Sequence, residues 1–232
     1  MTDIEFSSEM TVKLVRSMAS DDMVVQAAQV SAKGENKPET VPYRLIRALM
    51  IGKHGSPFEH NAFTFFVEAP LFVFREWQRH RISSFNEMSG RYTTLKPKFY
   101  VPEESRALIN LGTKMKPDMH PATPETYKHL CSELEFRSSA DWFSYQNLLS
   151  KEVSNEVARM VLPLNIYSQM YWTVNARSLM NFLSLRVQSE DSAVKSYPQW
   201  EIQMCAEIVE QEFAAAMPAT YRAFVENGRV AP

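Results

Sequence analysis

Hydrophobic and polar positions along the chain fall into segments with two periods. TVKLVRSMA (11–19) reads as a strand, and DDMVVQAAQVSA (21–32) as a helix whose first turn carries two acidic residues at the positive end of its dipole. GENKPET (34–40) reads as a loop. YRLIRALMIGKHG (43–55) sets Leu45, Ile46, Leu49 and Met50 on one helical face, with Gly55 as its terminator. SPFEH is a turn, and NAFTFFVEA (61–69) is predicted as a strand. Pro70 suits the first position of a helix over PLFVFREWQRHR (70–81). FYVP (99–102) is predicted as a short strand. Thr123 and Pro124 start a long amphipathic helix running to about Lys151. Ser154 is expected to cap a helix over 155–162 that Pro163 stops. NIYSQMYWTVN (165–175) reads as a strand, and ARSLMNFLSLR (176–186), WEIQMCAEIVEQEFAAAM (200–217) and the stretch after Pro218 read as helices. Many helices, few strands and no regular βα alternation predict an α+β fold, taken as one domain over 1–232.

Composition narrows the function. At 232 residues, 45% hydrophobic and 22% charged, the chain can bury a substantial core. A formal net charge of -2 excludes a global basic field for nucleic acid or an acidic membrane, so anion recognition must be local. Cys131 and Cys205 are far apart and give no metal-ligand spacing, so no metal is expected. Two thiols, no basic and apolar leader in MTDIEFSSEM, and no run of roughly 18 apolar residues predict a cytoplasmic protein. The 6 glycines form neither GxGxxG nor GxxxxGK[ST], so phosphates would have to be held by arginines and helix N-termini.

RHRISSFNEMSGRY (79–92) is the segment whose chemistry stands out. It gathers Arg79, Arg81 and Arg91 with His80, Glu87 and short hydroxyl donors. Arginine presents a planar fork of donors that matches phosphate or carboxylate oxygens in pairs. Ser84 and Ser89 can donate to the same oxygens, and Glu87 can accept from a ribose hydroxyl or fix an arginine. Three readings are open on the residues alone: a surface loop paired with acids elsewhere, an arginine patch for RNA, or a socket for a phosphorylated, sugar-bearing ligand.

The segment resembles, at every specified position, the pattern RHRxxSxNxxSxRY of the flavin-dependent thymidylate synthases, the ThyX family. The likeness extends from KHGSPFEH (53–60) through EVARMVLP (156–163) and WTVNARSLMNF (172–182) to WEI (200–202). It implies methylation of dUMP at uracil C5 to dTMP, with 5,10-methylenetetrahydrofolate as carbon donor, NADPH as reductant and FAD as hydride carrier. It also implies a helical α+β subunit with a small antiparallel or mixed sheet, assembled as a homotetramer with active sites at subunit interfaces. An RNA-binding module and a flavin-binding homologue without catalysis stand as alternatives.

Carried over by motif position, FAD is expected to meet Arg79, His80, Arg81 and Glu87, together with Ser56 from a neighbouring subunit. The NARSLMN motif adds Asn175, Ala176, Arg177 and Asn181 to the flavin site. The nucleotide is expected at Glu76, Trp77, Gln78 and Arg79, and at Glu87, Met88, Ser89, Gly90 and Arg91. Arg159 and Arg186 complete that set, with Arg186 implied as the catalytic group that polarises the uracil. The chain departs from the family at Glu76, where relatives often carry Gln, and in a longer, more acidic segment over 187–199.

Overall fold

The computed structural model describes residues 3–35 and 40–232. The central part of the loop expected over 34–40 therefore lies outside the described residues. In chain order the elements are β1 (Glu5–Ser7), β2 (Thr11–Ser17), α1 (Asp21–Lys33), α2 (Tyr43–Ile51), β3 (Ala62–Pro70), α3 (Leu71–Trp77), β4 (Ser84–Glu87), β5 (Lys98–Tyr100), β6 (Ile109–Asn110) and β7 (Met119–His120). There follow α4 (Pro124–Ser150), α5 (Asn155–Ala158), β8 (Tyr167–Asn175), α6 (Ala176–Arg186), α7 (Trp200–Ala216) and α8 (Pro218–Glu226). Short 3-10 turns cover Ser56–His60 and Arg159–Val161. Among the described residues the strands form a sheet of order β2-β3-β8-β4, a parallel pair β1-β5 and an antiparallel pair β6-β7. Helices with small sheets place the chain in the expected α+β class.

Three boundaries differ from the sequence reading. The helix expected over 43–55 stops at Ile51, because Gly52 N–H closes onto Ala48 O at 2.9 Å and Lys53 turns left-handed at φ 55°. Pro70 closes β3 instead of opening a helix, and α3 ends at Trp77, so Arg79 to Arg81 lie beyond it. The 155–162 helix is one α turn followed by a 3-10 turn, and Ser154 makes no side-chain capping bond. Strand β4 falls inside the arginine-rich segment, where SFNE offers no apolar alternation to announce it.

The chain divides into two compact units. One comprises the N-terminal residues to Thr11, Glu68–Glu76 and Glu87–Met170. Its core is organised by α4, whose Thr123 hydroxyl accepts from Thr126 N–H at 3.2 Å while Pro124 fills a position needing no donor. Ser138, Trp142 and Tyr145 recur at helical spacing on the buried face, and Trp142 and Tyr145 pack with Leu95, Phe99, Ala158 and Ile166. Lys98 on β5 joins Glu68 at 2.9 Å and Glu5 at 3.2 Å. Burial alone would raise the Glu68 carboxyl, but the bonds from Lys98 and Gln169 bring it below its ordinary value.

The other unit comprises Val12–Val67, Trp77–Asn86 and Tyr171–Pro232. Phe63, Phe65 and Val67 alternate inward along β3, as do Trp172 and Val174 on β8. Ile202, Cys205, Ala206, Val209 and Phe213 make the buried stripe of α7. Ser20 caps α1 by accepting from Met23 N–H at 3.2 Å. The buried Asp21 carboxylate accepts from the Ala219 and Thr220 N–H groups and the Thr220 hydroxyl at 2.8, 2.9 and 2.6 Å. It thereby caps α8 from a residue far away in sequence. Among the described residues no helix is long and apolar enough to cross a membrane, and no group of three His, Cys, Asp or Glu is arranged to hold a metal.

Candidate functional site

In the unit holding α6, the end of α3 shapes the first cluster. Trp77 is fully buried, stacked on Phe182 at 5.1 Å and edge-on to Trp172 at 5.2 Å. Its side chain belongs to the core, so whatever Trp77 offers a ligand comes from its backbone. His80 N–H closes a turn onto Trp77 O at 3.0 Å, and the Ser83 hydroxyl donates to His80 O at 2.6 Å. The turn leaves Arg79 and Arg81 exposed and lays the His80 ring edge-on to Phe182 at 4.9 Å. Arg186, the last residue of α6, donates its Nε–H to His80 Nε2 at 3.0 Å. Burial, then the Arg186 charge, depresses the imidazole to about 4, which keeps it neutral at physiological pH.

A cavity of about 240 Å³ is lined by Arg79, His80, Arg81, Ile82, Ser178 and Asn181. Asn175 caps α6 by accepting from Ser178 N–H at 2.8 Å, and Ser178 and Asn181, one turn apart, put the flank of this helix on the cavity. Ala176 is buried behind it. Asn181 is exposed, and its amide donates to Arg177 O at 3.2 Å. Arg177 donates to Glu59 at 2.6 Å and to Pro232 O at 2.8 Å. Gly55 leaves room for this side chain. A Cβ at that position would lie 2.4 Å from the Arg177 guanidinium. Ser56 begins the adjoining 3-10 turn, is exposed, and packs with that turn against α6.

The second cluster lies in the unit holding α4. Met88 N–H donates to Gln169 O at 2.8 Å, and the half-buried Glu87 carboxylate accepts from the Ser168 hydroxyl at 2.9 Å. Ser89 O accepts from Tyr92 and Thr93 N–H, which folds Ser89 to Arg91 into a tight turn. Gly90 is buried in that turn, where a Cβ would press on Arg159 Cδ at 3.3 Å. Arg91 donates to Glu156 at 2.9 Å and sits over the Tyr92 ring. Glu156 is thus taken by Arg91, and it makes no ion pair with Arg159 three residues on. Arg159 is exposed. Glu76 is half-buried and Gln78 exposed, and each has a polar partner.

Among the described residues Arg79, Arg81 and Arg159 make no ion pair, whereas Arg91 and Arg177 do. The carboxylates Glu156 and Glu59, the Ser168 hydroxyl and the Pro232 carbonyl are the parts that sequence reading missed. Glu59 stands three residues after Ser56, but its pairing with Arg177 spans 118 positions and leaves no local signal.

The family model described as thymidylate synthase complementing protein matches residues 13–219. A flavin-dependent thymidylate synthase from Streptomyces coelicolor is 50% identical over 236 residues, covering 99% of this chain and 96% of that protein. One from Tropheryma whipplei is 48% identical over 235 residues, covering 99% and 98%. Among solved structures, the UMP/dUMP methylase PolB from Streptomyces cacaoi bound with 5-Br dUMP superposes with a TM-score of 0.93 at 44% identity, covering 99% of this chain and all of that one. The same enzyme bound with 5-Br UMP gives a TM-score of 0.92 at 43% identity.

Proposed function

Because this chain belongs to the flavin-dependent thymidylate synthases, we propose that it methylates dUMP at uracil C5 to give dTMP. The carbon comes from 5,10-methylenetetrahydrofolate, and NADPH supplies the electrons. A methylene arrives one two-electron step above a methyl group. A hydride must therefore be added and a proton taken up, and the folate leaves as tetrahydrofolate. FAD, when bound, supplies the hydride relay between NADPH and the transferred carbon.

The observation that carries this reading is the donor set around the α6 cavity: unpaired Arg79 and Arg81 guanidiniums beside Ser178 and Asn181 on the flank of α6. That set suits the diphosphate of a dinucleotide. We assign Ser56, Arg79, His80, Arg81 and Glu87 to FAD, with Asn175, Ala176, Arg177 and Asn181. The cavity's 240 Å³ falls short of the ~300–1,000 Å³ of complete ligand sites. We propose, from the family resemblance, a homotetramer in which neighbouring subunits complete each site. We further propose that the chain acts as a single domain in the cytoplasm.

The residues proposed for dUMP are Glu76 to Arg79, Glu87 to Arg91, Arg159 and Arg186. Arg159 and Arg91 are suited to the phosphate, and Ser89 to a hydroxyl contact. Glu87, oriented by Ser168, is an acceptor for a donor on the ligand. Arg186 is the activating group. A guanidinium stays protonated, so it stabilises negative charge on the uracil and raises the nucleophilicity of C5 without acting as a base. No thiol attack is needed. Cys205 is buried, and burial with the nearby Glu201 pushes its thiol up to about 12, far from a nucleophilic thiolate at neutral pH.

The two alternatives, an RNA-binding module and a flavin-binding homologue without catalysis, find no support in the relatives of this chain. The proposed activity is tested by purified protein that is yellow and forms dTMP from dUMP only when both NADPH and methylenetetrahydrofolate are present. A colourless protein that does not take up FAD, or dTMP formed without reductant, would overturn it.

A further inference from the structure

A groove of about 720 Å³ runs over the outer face of α2, within the ~300–1,000 Å³ of small-molecule sites. It shares no lining residue with the α6 cavity. Two rows at i, i+4 spacing line it: Tyr43, Arg47 and Ile51 on one side, Arg44, Ala48 and Gly52 on the other. Ala48 and Gly52 carry little or no side chain, which makes the depression. Ile51 and the Tyr43 ring give it carbon surface, and the two arginines give it charge. That charge is one-sided. Glu226 on α8 accepts from Arg222 at 2.8 Å, lies 3.5 Å from Arg47, and also accepts from the Tyr43 hydroxyl. One carboxylate thus serves Arg47 and Arg222, and among the described residues no acid pairs with Arg44. Nor does Arg44 serve the helix, since it stands in the first turn of α2, where the dipole disfavours a cation.

The Gly52 end of the groove is tied to the flavin motif. Gly52 lies against the His54 ring, which a Cβ there would meet at 2.9 Å. Ser56, proposed for FAD, follows four residues after Gly52, so at most ~14 Å of chain separates them. Arg44 stands about 12 Å back along the helix axis from Gly52. We propose that the α2 groove is the subsite for the glutamate tail of the folate co-substrate, whose reacting end lies at the flavin that Ser56 of the same chain touches. Arg44 and Arg47 take the carboxylates, and Tyr43 and Ile51 the carbon chain. The proposal rests on the reading of this chain as a thymidylate synthase. A folate is a flat pterin joined through aminobenzoate to one or more glutamates, so its reacting end is neutral and its far end anionic. An arginine fork matches carboxylate oxygens in pairs, and arginines at i and i+3 stand ~5–6 Å apart at Cβ, which suits neighbouring carboxylates.

The test uses holoenzyme and methylenetetrahydrofolate carrying either one or five glutamates. The parent should show a KM at least ~10-fold lower for the pentaglutamate, and added salt should erode that preference, because exposed charges are screened. Arg44→Gln keeps a good helix former at an exposed position and removes the cation. It should cut the preference to less than ~3-fold by raising the pentaglutamate KM, with kcat moving less than KM. Ala48→Glu sets an acid in the floor of the groove and should do the same by repulsion. Arg137→Gln, at an exposed arginine of α4, is the charge control and should keep the parental preference. Calorimetric binding of pteroylpentaglutamate, which carries no transferable carbon, should weaken ~10-fold in Arg44→Gln, a readout independent of turnover.

A parent with no preference for the pentaglutamate, or a preference that survives both Arg44→Gln and Ala48→Glu, would overturn the proposal. So would a rise in the KM for NADPH but not for NADH in these variants with folate kinetics unchanged, which would give the groove to the 2′-phosphate of the dinucleotide. The two readings separate cleanly. A protein that forms no dTMP with any folate removes the thymidylate synthase reading, whereas dTMP formed without regard to the tail removes only the groove.

Discussion

Both units of this chain hold an arginine by its Nε–H, and they do so with opposite electrostatics. In the unit built on α4, Arg91 meets the carboxylate of Glu156 at 2.9 Å. In the unit built on α6, Arg186 meets a neutral imidazole at 3.0 Å. A carboxylate pins an arginine and offsets its charge, whereas an imidazole pins it without doing so. An arginine that only grips a phosphate already carrying its own negative charge can share itself with an acid. Arg79 and Arg81 make no ion pair among the described residues, which leaves them available for the proposed flavin diphosphate.

The largest effect that would sharpen this contrast comes from removing the unpaired cations. Arg79→Ala combined with Arg81→Ala should weaken FAD binding at least ~100-fold, since two charge-assisted contacts are lost. Titration of apoprotein with FAD measures it, and a double variant that purifies as yellow as the parent would break the assignment. Asp21→Ala comes next, as a change in the same unit that touches no ligand. It strips the α8 cap and leaves buried N–H groups unsatisfied, so stability should drop by about 2 kcal/mol. Denaturant unfolding reads that loss, while flavin bound per folded molecule should stay at the parental value.

A smaller effect is expected from Gly55→Ala. The new methyl would collide with the Arg177 guanidinium, which swings away more easily than backbone would. FAD affinity should fall about 10-fold with little change in Tm, and unaltered affinity would mean that Arg177 does not contact the cofactor. The smallest change is Glu156→Gln. The Arg91–Glu156 pair is half exposed, so stability should shift by less than ~1 kcal/mol. A large loss of stability would show that the acid partner in the α4 unit is structural and that the contrast with His80 is misplaced.

The sequence made the long elements legible and blurred the short ones. Helix α4 carried a Thr-Pro start and α6 an unbroken apolar face, and both lie within a residue or two of their predicted bounds. The stretch over 70–81 was overextended because its amphipathic pattern runs on without Gly or Pro. What ends α3 is the turn that His80 N–H makes onto Trp77 O, a tertiary choice stabilised by the burial of Trp77. That same early stop places the arginine-rich motif in a turn and brings His80 to Phe182 and Arg186. Motif spacing named both His80 and Arg186, but 106 residues separate them and nothing local records their bond. The Asp21 cap on α8 was hidden for the same reason: Asp21 looked like an ordinary first-turn acid of α1.

The account stands most directly on Arg186 as the charge that activates the uracil, and one experiment isolates it. Arg186→Lys is reduced anaerobically with NADPH and then mixed with dUMP and methylenetetrahydrofolate, each half of the reaction being timed separately. A lysine keeps a cation at the end of α6 but cannot reproduce the planar fork. NADPH oxidation should stay within ~3-fold of the parent, while dTMP formation slows at least ~100-fold, about 2.7 kcal/mol of lost transition-state stabilisation. Near-parental methylation, or equal slowing of both halves, would contradict the account.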